Sequence, residues 1–335
     1  MFRFGIPCSV KQGTRAQDSI RQSSILLDAS AQQVAMGSAR ERLPWWERGE
    51  GERLLAVIQQ AQLLAAITDP AIVQGFRHSA FVVYTYLSNK LEGTLPTKVR
   101  AQQTFQMLSS SCDMAAPVDL ETPPQVQWPA EGGSGSTASQ SQAQLQQSLA
   151  ALQYLCIDSR PGQEPLTVEK IETAHRLLMW DAVDEEGVPL AAGHFCTGPA
   201  HSGSGYVYPD ARVIPHALEQ IVKEYNEKQG KGTAWGAAAD LLYRVVKLKK
   251  FANGNGRLCR ILAAYALMAH GCPFPVALIN GHSGTKAHFM QCIQHADNLH
   301  EGNTKRLSLY IMECLSVKYA NFIANVKLET ACKSR

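Results

Sequence analysis

The sequence predicts a mainly α-helical domain with a single β-hairpin. Three observations carry that expectation. Apolar residues recur at three- and four-residue steps through most of the chain. One short stretch, His194 to Pro209, alternates like strand around a Gly/Ser-rich turn. No repeat of fixed period and no alternation of strand with helix is present, which argues against a solenoid or a doubly wound parallel sheet.

Residues 1–49 lack sustained periodicity and read as a poorly ordered tail. The opening stretch, MFRFGIPCSVKQGTRAQDSIRQSS, has no apolar core of the secretory kind; it is basic and serine-bearing, so a mitochondrial transit peptide is the other reading. From Glu50 the pattern becomes helical, with Leu54, Leu55, Ile58, Leu63 and Leu64 on one side. In VQGFRHSAFVVYTYLSNKLEGTLPT a stripe of Phe76, Ala80, Val83, Leu87 and Leu91 predicts the next helix. Gly93 sits at a natural helix stop and Pro96 prevents continuation. These helices make up an N-terminal segment, 50–108.

Composition then shifts to Ser, Gly, Pro and Gln, and 109–143 reads as a flexible insertion. The core, 144–327, begins with a helix over Leu145–Leu155. Another follows Thr167, a natural N-cap, with Val168, Ile171, His175 and Leu178 on one face. After the hairpin of HFCT, HSGSG and YVYP, helices are expected over Ile214–Glu227, Trp235–Lys249, Gly256–His270, Thr285–Leu299 and Thr304–Val326.

Bulk properties exclude some roles. Of the 335 residues 45% are hydrophobic and 18% charged, and the net charge is +3, too small to argue for nucleic acid or a membrane surface as partner. No run of eighteen apolar residues occurs, because LLAVIQQAQLLAAITDPAIV is broken by glutamines, Asp69 and Pro70. Nine cysteines without a CxxC pair suit reduced thiols in a cytoplasmic or nuclear protein better than a disulfide framework or a metal cluster.

The chemistry concentrates in KLKKFANGNGRLCR, Lys247 to Arg260. Gly254 and Gly256 let the backbone turn tightly and approach a ligand. The helix beginning there aims free N–H groups and its positive end at the loop, which makes an anion site. Arg257 and Arg260, three apart, emerge on neighbouring sides of the first turn. Taken together these features fit a polyphosphate.

FANGNGRLCR also resembles the signature of the Fic (Fido) family, HxFx(D/E)GNGRxxR, matching at Phe251, Gly254, Asn255, Gly256, Arg257 and Arg260, six of eight fixed positions. The hairpin 194–208 resembles that family's flap, which docks a target segment as an added strand. LSNKLEGTLPT resembles its inhibitory helix, (S/T)xxxE(G/N), at Ser88, Glu92 and Gly93, and the two final helices resemble its closing bundle. The resemblance implies a Fic-type helical bundle with one hairpin flap and an activity that moves AMP from ATP to a protein Ser, Thr or Tyr hydroxyl. It implies that Asn255 and the loop amides hold the α-phosphate, that Arg257 supports the phosphates, and that Arg260 takes the γ-phosphate. Glu92 would compete with that phosphate for Arg260, an autoinhibitory contact.

Two signature positions differ. Lys249 stands where the family has the histidine base, and Asn253 where it has the acidic Mg²⁺ ligand. A histidine accepts a proton near neutral pH, whereas deprotonating an ordinary lysine at pH 7 costs about 4.6 kcal/mol. Asn253 offers only a neutral carbonyl to a hard cation. The expectation is therefore an ATP-binding, Fic-like protein with impaired transfer. The alternatives are an active adenylyltransferase with another base, a non-catalytic regulatory module, or transfer from a different phosphate donor. Among candidates for a replacement base, His282, His288 and His295 follow the motif in the chain and His201 lies in the hairpin, and each reads more simply as a packing or surface residue.

Overall fold

A computed structural model describes residues 50–93, 108–109, 114–121, 136–183, 189–195, 208–278, 283–298 and 303–333. The chain divides at Gly51, and the account concerns the second unit, Glu52–Arg335, together with the first turn of its leading helix. In order the helices are α1 (Glu50–Ile67), α2 (Pro70–Leu91), α3 (Ser136–Gln153), α4 (Val168–Leu178), α5 (Ile214–Glu227), α6 (Ala234–Val246), α7 (Asn255–Ala269), α8 (Ser283–Asn298) and α9 (Lys305–Lys333). The architecture is mainly α, as the periodicity predicted.

Helix starts follow local chemistry. Asp69 caps α2 by accepting from the Ala71 amide at 2.9 Å, with Pro70 in the first turn, where its missing N–H costs nothing. Thr167 accepts from Lys170 N at the start of α4, and Thr233 from Gly236 N at the start of α6. The end of α3 widens into a π-helical turn, Tyr154–Asp158, which places both Leu155 and Cys156 in the core. Asp158 then accepts from the Val118 amide at 2.9 Å.

At the centre lies α7. Every residue from Arg257 to Leu267 is buried, so this helix is enclosed on all sides rather than amphipathic. It packs chiefly on α6, which in turn packs on α9; α3 lies against α2 and α4, and α8 against α9. Phe274, after α7, meets Tyr319 and Phe322 of α9 edge-on, and Phe76 of α2 meets Phe322 in the same way. These contacts fasten the two long outer helices to the end of the central one.

Several expectations are corrected. The buried side of α2 is not the stripe of Phe76, Val83, Leu87 and Leu91; it is Ala80, Phe81, Val82, Tyr84, Thr85, Ser88 and Asn89. Three of these are polar, so hydrophobic periodicity misplaces the face. The insertion gives way to helix at Ser136, before the expected 144, because STASQSQAQLQQ holds neither Gly nor Pro and its Ala and Gln favour helix. Helix α6 ends at Val246, not at Lys249, whose φ is +40°. The hairpin falls largely at 196–207, outside the described residues, as does nearly all of the 1–49 segment. Among the described residues the β-type pairings are isolated bridges, Pro161 with Glu164 and Val183 with Pro189. No described helix is long and apolar enough to cross a membrane.

A buried central helix predicts a steep cost for truncation. Leu262→Ala, at a fully enclosed position, should lower the unfolding free energy by about 2–5 kcal/mol in urea titrations. The exposed Val317→Ala on α9 should change it by less than about 0.5 kcal/mol.

Candidate anion-binding site

The loop between α6 and α7 is held by its own side chains. Asn255 clamps the Phe251 backbone from both sides: Phe251 N donates to Asn255 Oδ1 at 3.1 Å, and Asn255 Nδ2 donates to Phe251 O at 2.6 Å. Asn253 Oδ1 accepts from the Gly254 amide at 2.7 Å. Both amide side chains are thus engaged inside the loop. The Asn255 side chain thereby fixes the backbone of the loop whose amides, with Asn255 itself, were the expected α-phosphate contacts. The expected weak metal contact from Asn253 would use an oxygen already bonded to Gly254.

Gly254 starts α7 from the left-handed region, φ +74° and ψ −4°. A Cβ there would stand 2.6 Å from Met179 Sδ and 3.4 Å from His175 Nε2, so glycine is required both by conformation and by space. At Gly256 a Cβ would lie 3.3 Å from both Arg260 Nη1 and Glu92 Oε1. The helix start is therefore where the Glu92 carboxylate sits.

Two guanidinium groups fill the first turn. Arg260, 4% exposed, donates from Nε to Ser88 Oγ at 3.0 Å and from Nη2 to Ser88 O at 3.1 Å. Its Nη2 also meets Glu92 Oε1 at 2.7 Å, in an ion pair whose carboxylate side is 37% exposed. Arg257, 5% exposed, has only a long contact from Nη2 to Met179 Sδ at 3.5 Å, and its Nη1 has no hydrogen-bond partner. Burial lowers the Arg257 pKa, the Glu92 charge opposes that shift, and the charge of Arg260 adds to it.

The end of α2 that carries Glu92 is itself tied down. Asn89, fully buried, donates to Thr85 O and accepts from Ser148 Oγ of α3 at 3.3 Å. Lys286 of α8 donates to Leu91 O at 3.2 Å. Gly93, φ +76°, turns the chain away after Glu92. Ser88 and Glu92 thus meet Arg260 from across the fold, and Gly93 follows at the helix end.

The lysines part company. Lys249 lies over the Tyr208 ring, Nζ 5.2 Å from the centroid. Lys250 is wholly enclosed, its Nζ 5.0 Å from the Phe251 centroid and without a hydrogen-bond acceptor; desolvation lowers its pKa to about 7. Sequence reasoning passed over Lys250, Met179 and the role of His175, which donates from Nε2 to Asn253 O at 2.9 Å and stacks on Phe251 at 3.6 Å. Its place on the apolar face of a short capped helix, two turns after Thr167, is the signal that could have found it. Of the other histidines, His288 packs edge-on against Tyr310, His295 lies in α8, and His201 and His282 fall outside the described residues. Among the described residues no group of His, Cys, Asp and Glu is arranged to hold a metal ion.

Gly254→Ala should destabilise the protein by about 1–3 kcal/mol, since it forces a side chain into the left-handed region and against Met179. Thermal unfolding compared with Gly230→Ala, a positive-φ glycine with open space around it, checks that the loss comes from the crowding at Met179.

Residues 165–267, which include the loop and α7, match the Fic/DOC family. A Fido domain-containing protein of Dictyostelium discoideum is 29% identical over 126 residues, 36% of this chain and 85% of that protein. The fold is similar to that of a Fic domain containing signaling protein from Bacteroides thetaiotaomicron: TM-score 0.63, 19% identity, 83% of this chain and 97% of the other. It is also similar to Fic-1 from C. elegans, with TM-score 0.62 and 18% identity over 92% of this chain and 78% of that one. The likeness to Fic/Fido domain proteins thus rests on residues 165–267 in sequence and on most of the chain in fold.

Proposed function

We propose that the α7 start binds the phosphates of ATP, that Glu92 holds the site in an inhibited state, and that transfer of AMP to a protein hydroxyl is impaired. The observation that carries this reading is Arg257 Nη1, a buried donor of a cationic group with no partner, beside an Arg260 already oriented by Ser88. A buried guanidinium with an open donor costs free energy until an anion reaches it. A triphosphate supplies several acceptors at once, in charge-assisted hydrogen bonds. It would meet Arg257, the loop amides and, once Glu92 withdraws, Arg260.

Impairment follows from the two lysines. Lys249 is directed at Tyr208 and carries no imidazole that could take a proton from an attacking hydroxyl. Lys250 has an amine of suitable basicity, but at 0% exposure no substrate hydroxyl can reach it. Asn253 and the residues around it do not fit Mg²⁺: the candidate ligand is neutral and its Oδ1 is bonded to Gly254. Phosphate neutralisation therefore falls to Arg257, Arg260 and Lys249. The acceptor of any transfer would be a hydroxyl-bearing protein segment approaching along the 194–208 stretch.

Calorimetric titration of ATP tests the binding. Glu92→Gly should tighten it, and Arg260→Ala should weaken it by about 1.5–3 kcal/mol, the worth of a hydrogen bond to a charged group. Chelating divalent cations with EDTA should leave the affinity of Glu92→Gly unchanged. A site that needs EDTA-sensitive metal, or that binds ATP equally well without Arg260, would contradict the reading.

Restoring the missing groups tests the chemistry. In the Glu92→Gly background, Lys249→His with Asn253→Asp and added Mg²⁺ should raise self-labelling from radiolabelled ATP by about 10²–10⁴-fold, the usual worth of general-base help. Strong labelling by the unaltered chain, abolished in Lys249→Ala, would instead make Lys249 a working base.

A further inference from the structure

His175 joins two main-chain segments far apart in sequence by a hydrogen bond to each. The Gly193 amide donates to its Nδ1 at 2.9 Å, and its Nε2 meets Asn253 O at 2.9 Å. A backbone N–H can only donate, so Nδ1 carries no proton, and the single proton of the neutral ring lies on Nε2 and is given to the Asn253 carbonyl. The tautomer is fixed by its neighbours. The ring also lies flat on Phe251, centroids 3.6 Å apart and planes 6° apart, while Phe195 approaches the same Phe251 ring at 5.8 Å. The segment Gly193–Phe195 and the loop Phe251–Gly254 are thus fastened to each other through one imidazole.

We infer that His175 is the positioning residue of the anion loop: as the neutral Nε2–H tautomer it sets the Asn253–Gly254 backbone against Gly193, and phosphate binding depends on that tie. The inference rests on the phosphate-binding reading for its functional consequence, but not for the tie itself. His175 need not touch a nucleotide. It acts through the carbonyl one residue before Gly254, and Gly254 sets the direction in which α7 begins. The clearance of 3.4 Å between the Gly254 Cβ position and Nε2 shows how closely the ring supports that turn.

Protonation would break the tie, because Nδ1–H would then point at the Gly193 N–H and two donors would face each other. The surroundings resist this. The ring is buried, and the charged groups facing it are Lys250, before the loop, and Arg257 of α7, both positive; Glu172, on its own helix, acts on Lys250. Desolvation and these cations hold the imidazole pKa down to about 4, against the contact with Asn253, which raises it. A group whose folded pKa is depressed in this way stabilises the fold above the ordinary imidazole range. That contribution is lost as pH falls from about 6.5 towards 4.

Three full-length variants in the Glu92→Gly background separate the tie from mere filling of the core. His175→Phe keeps the stack on Phe251 and loses both hydrogen bonds. His175→Asn keeps an acceptor where Nδ1 was, and His175→Gln keeps a donor where Nε2 was. Histidine ¹⁵N spectra of the parent should show a proton on Nε2 and none on Nδ1 at neutral pH. The Gly193 amide should exchange slowly in the parent and in His175→Asn, and rapidly in His175→Gln and His175→Phe. ATP binding should weaken roughly three- to tenfold in each single-contact variant, the worth of one hydrogen bond, and further in His175→Phe even where its Tm matches the parent. Parent affinity should also fall as the imidazole is titrated below pH 5, a step that His175→Phe lacks.

A proton found on Nδ1, Gly193 exchange indifferent to His175→Gln, or His175→Phe binding ATP as the parent does would overturn the inference. If the parent binds no ATP at all, the phosphate-binding reading fails instead, and the tautomer with Gly193 exchange still decides whether the tie exists.

Discussion

Arg257 and Arg260 lie within one turn at the start of α7, where the positive end of the helix adds to their own charge, and both are almost wholly withdrawn from water. Cations in such a place require acceptors, and much of the surrounding structure is arranged to supply them. Ser88 gives a hydroxyl and a carbonyl to Arg260, and Glu92 gives a carboxylate. The hydrogen bonds of Asn89 and Lys286 hold that end of α2 in place. The partnership is uneven, however. Glu92 closes the C-terminal end of α2, where its charge is opposed by that helix's own negative pole, and its side chain stays 37% exposed. A carboxylate that gains at one helix end and loses at the other is an exchangeable occupant. Ser88 holds Arg260 through two contacts of its own, independent of the Glu92 carboxylate.

The parts of this site that depend on spacing were legible in the sequence. Gly254, Gly256, Arg257 and Arg260 fall within seven residues of one another, so a helix start with glycines and arginines can be read directly. Glu92 was reached only through its resemblance to a known pattern, because nothing local in LSNKLEGT places it 168 positions away at Arg260. The buried face of α2 was misread for a related reason. Ser88 and Asn89 are buried against partners on α7 and α3, and hydrophobic periodicity registers only apolar burial. His175 was assigned to the correct face of its helix, yet its work lies in two contacts, 18 and 78 positions away, that no pattern within α4 encodes.

Lys249 and Lys250 show how a single backbone torsion decides chemistry. After α6 the chain passes through Lys249 at φ +40°, and the two neighbouring side chains diverge. One reaches Tyr208; the other goes beneath the loop against Phe251. The half-buried position lacks an imidazole, and the amine with a pKa of about 7 is fully enclosed. Read from sequence, only Lys249 stands at the base position; the fold brings Lys250 beneath the same loop.

Charge accounting makes the two departures from the family signature intelligible as a pair. A neutral histidine, an ionised acid and a divalent metal contribute a net of about +1 around the phosphates at neutral pH. Lys249 with Asn253, and no metal, contributes the same +1. Under the proposed reading, substituting both positions keeps the attraction for a triphosphate while removing the base and the metal-bound geometry that transfer needs. Either change alone would disturb the balance: Lys249 beside an aspartate would form an ion pair and cancel the gain, and Asn253 beside a histidine would leave the phosphates under-neutralised. The retained cradle of Gly254, Gly256, Arg257 and Arg260, still opposed by Glu92, is what a protein selected for holding a nucleotide under control would keep.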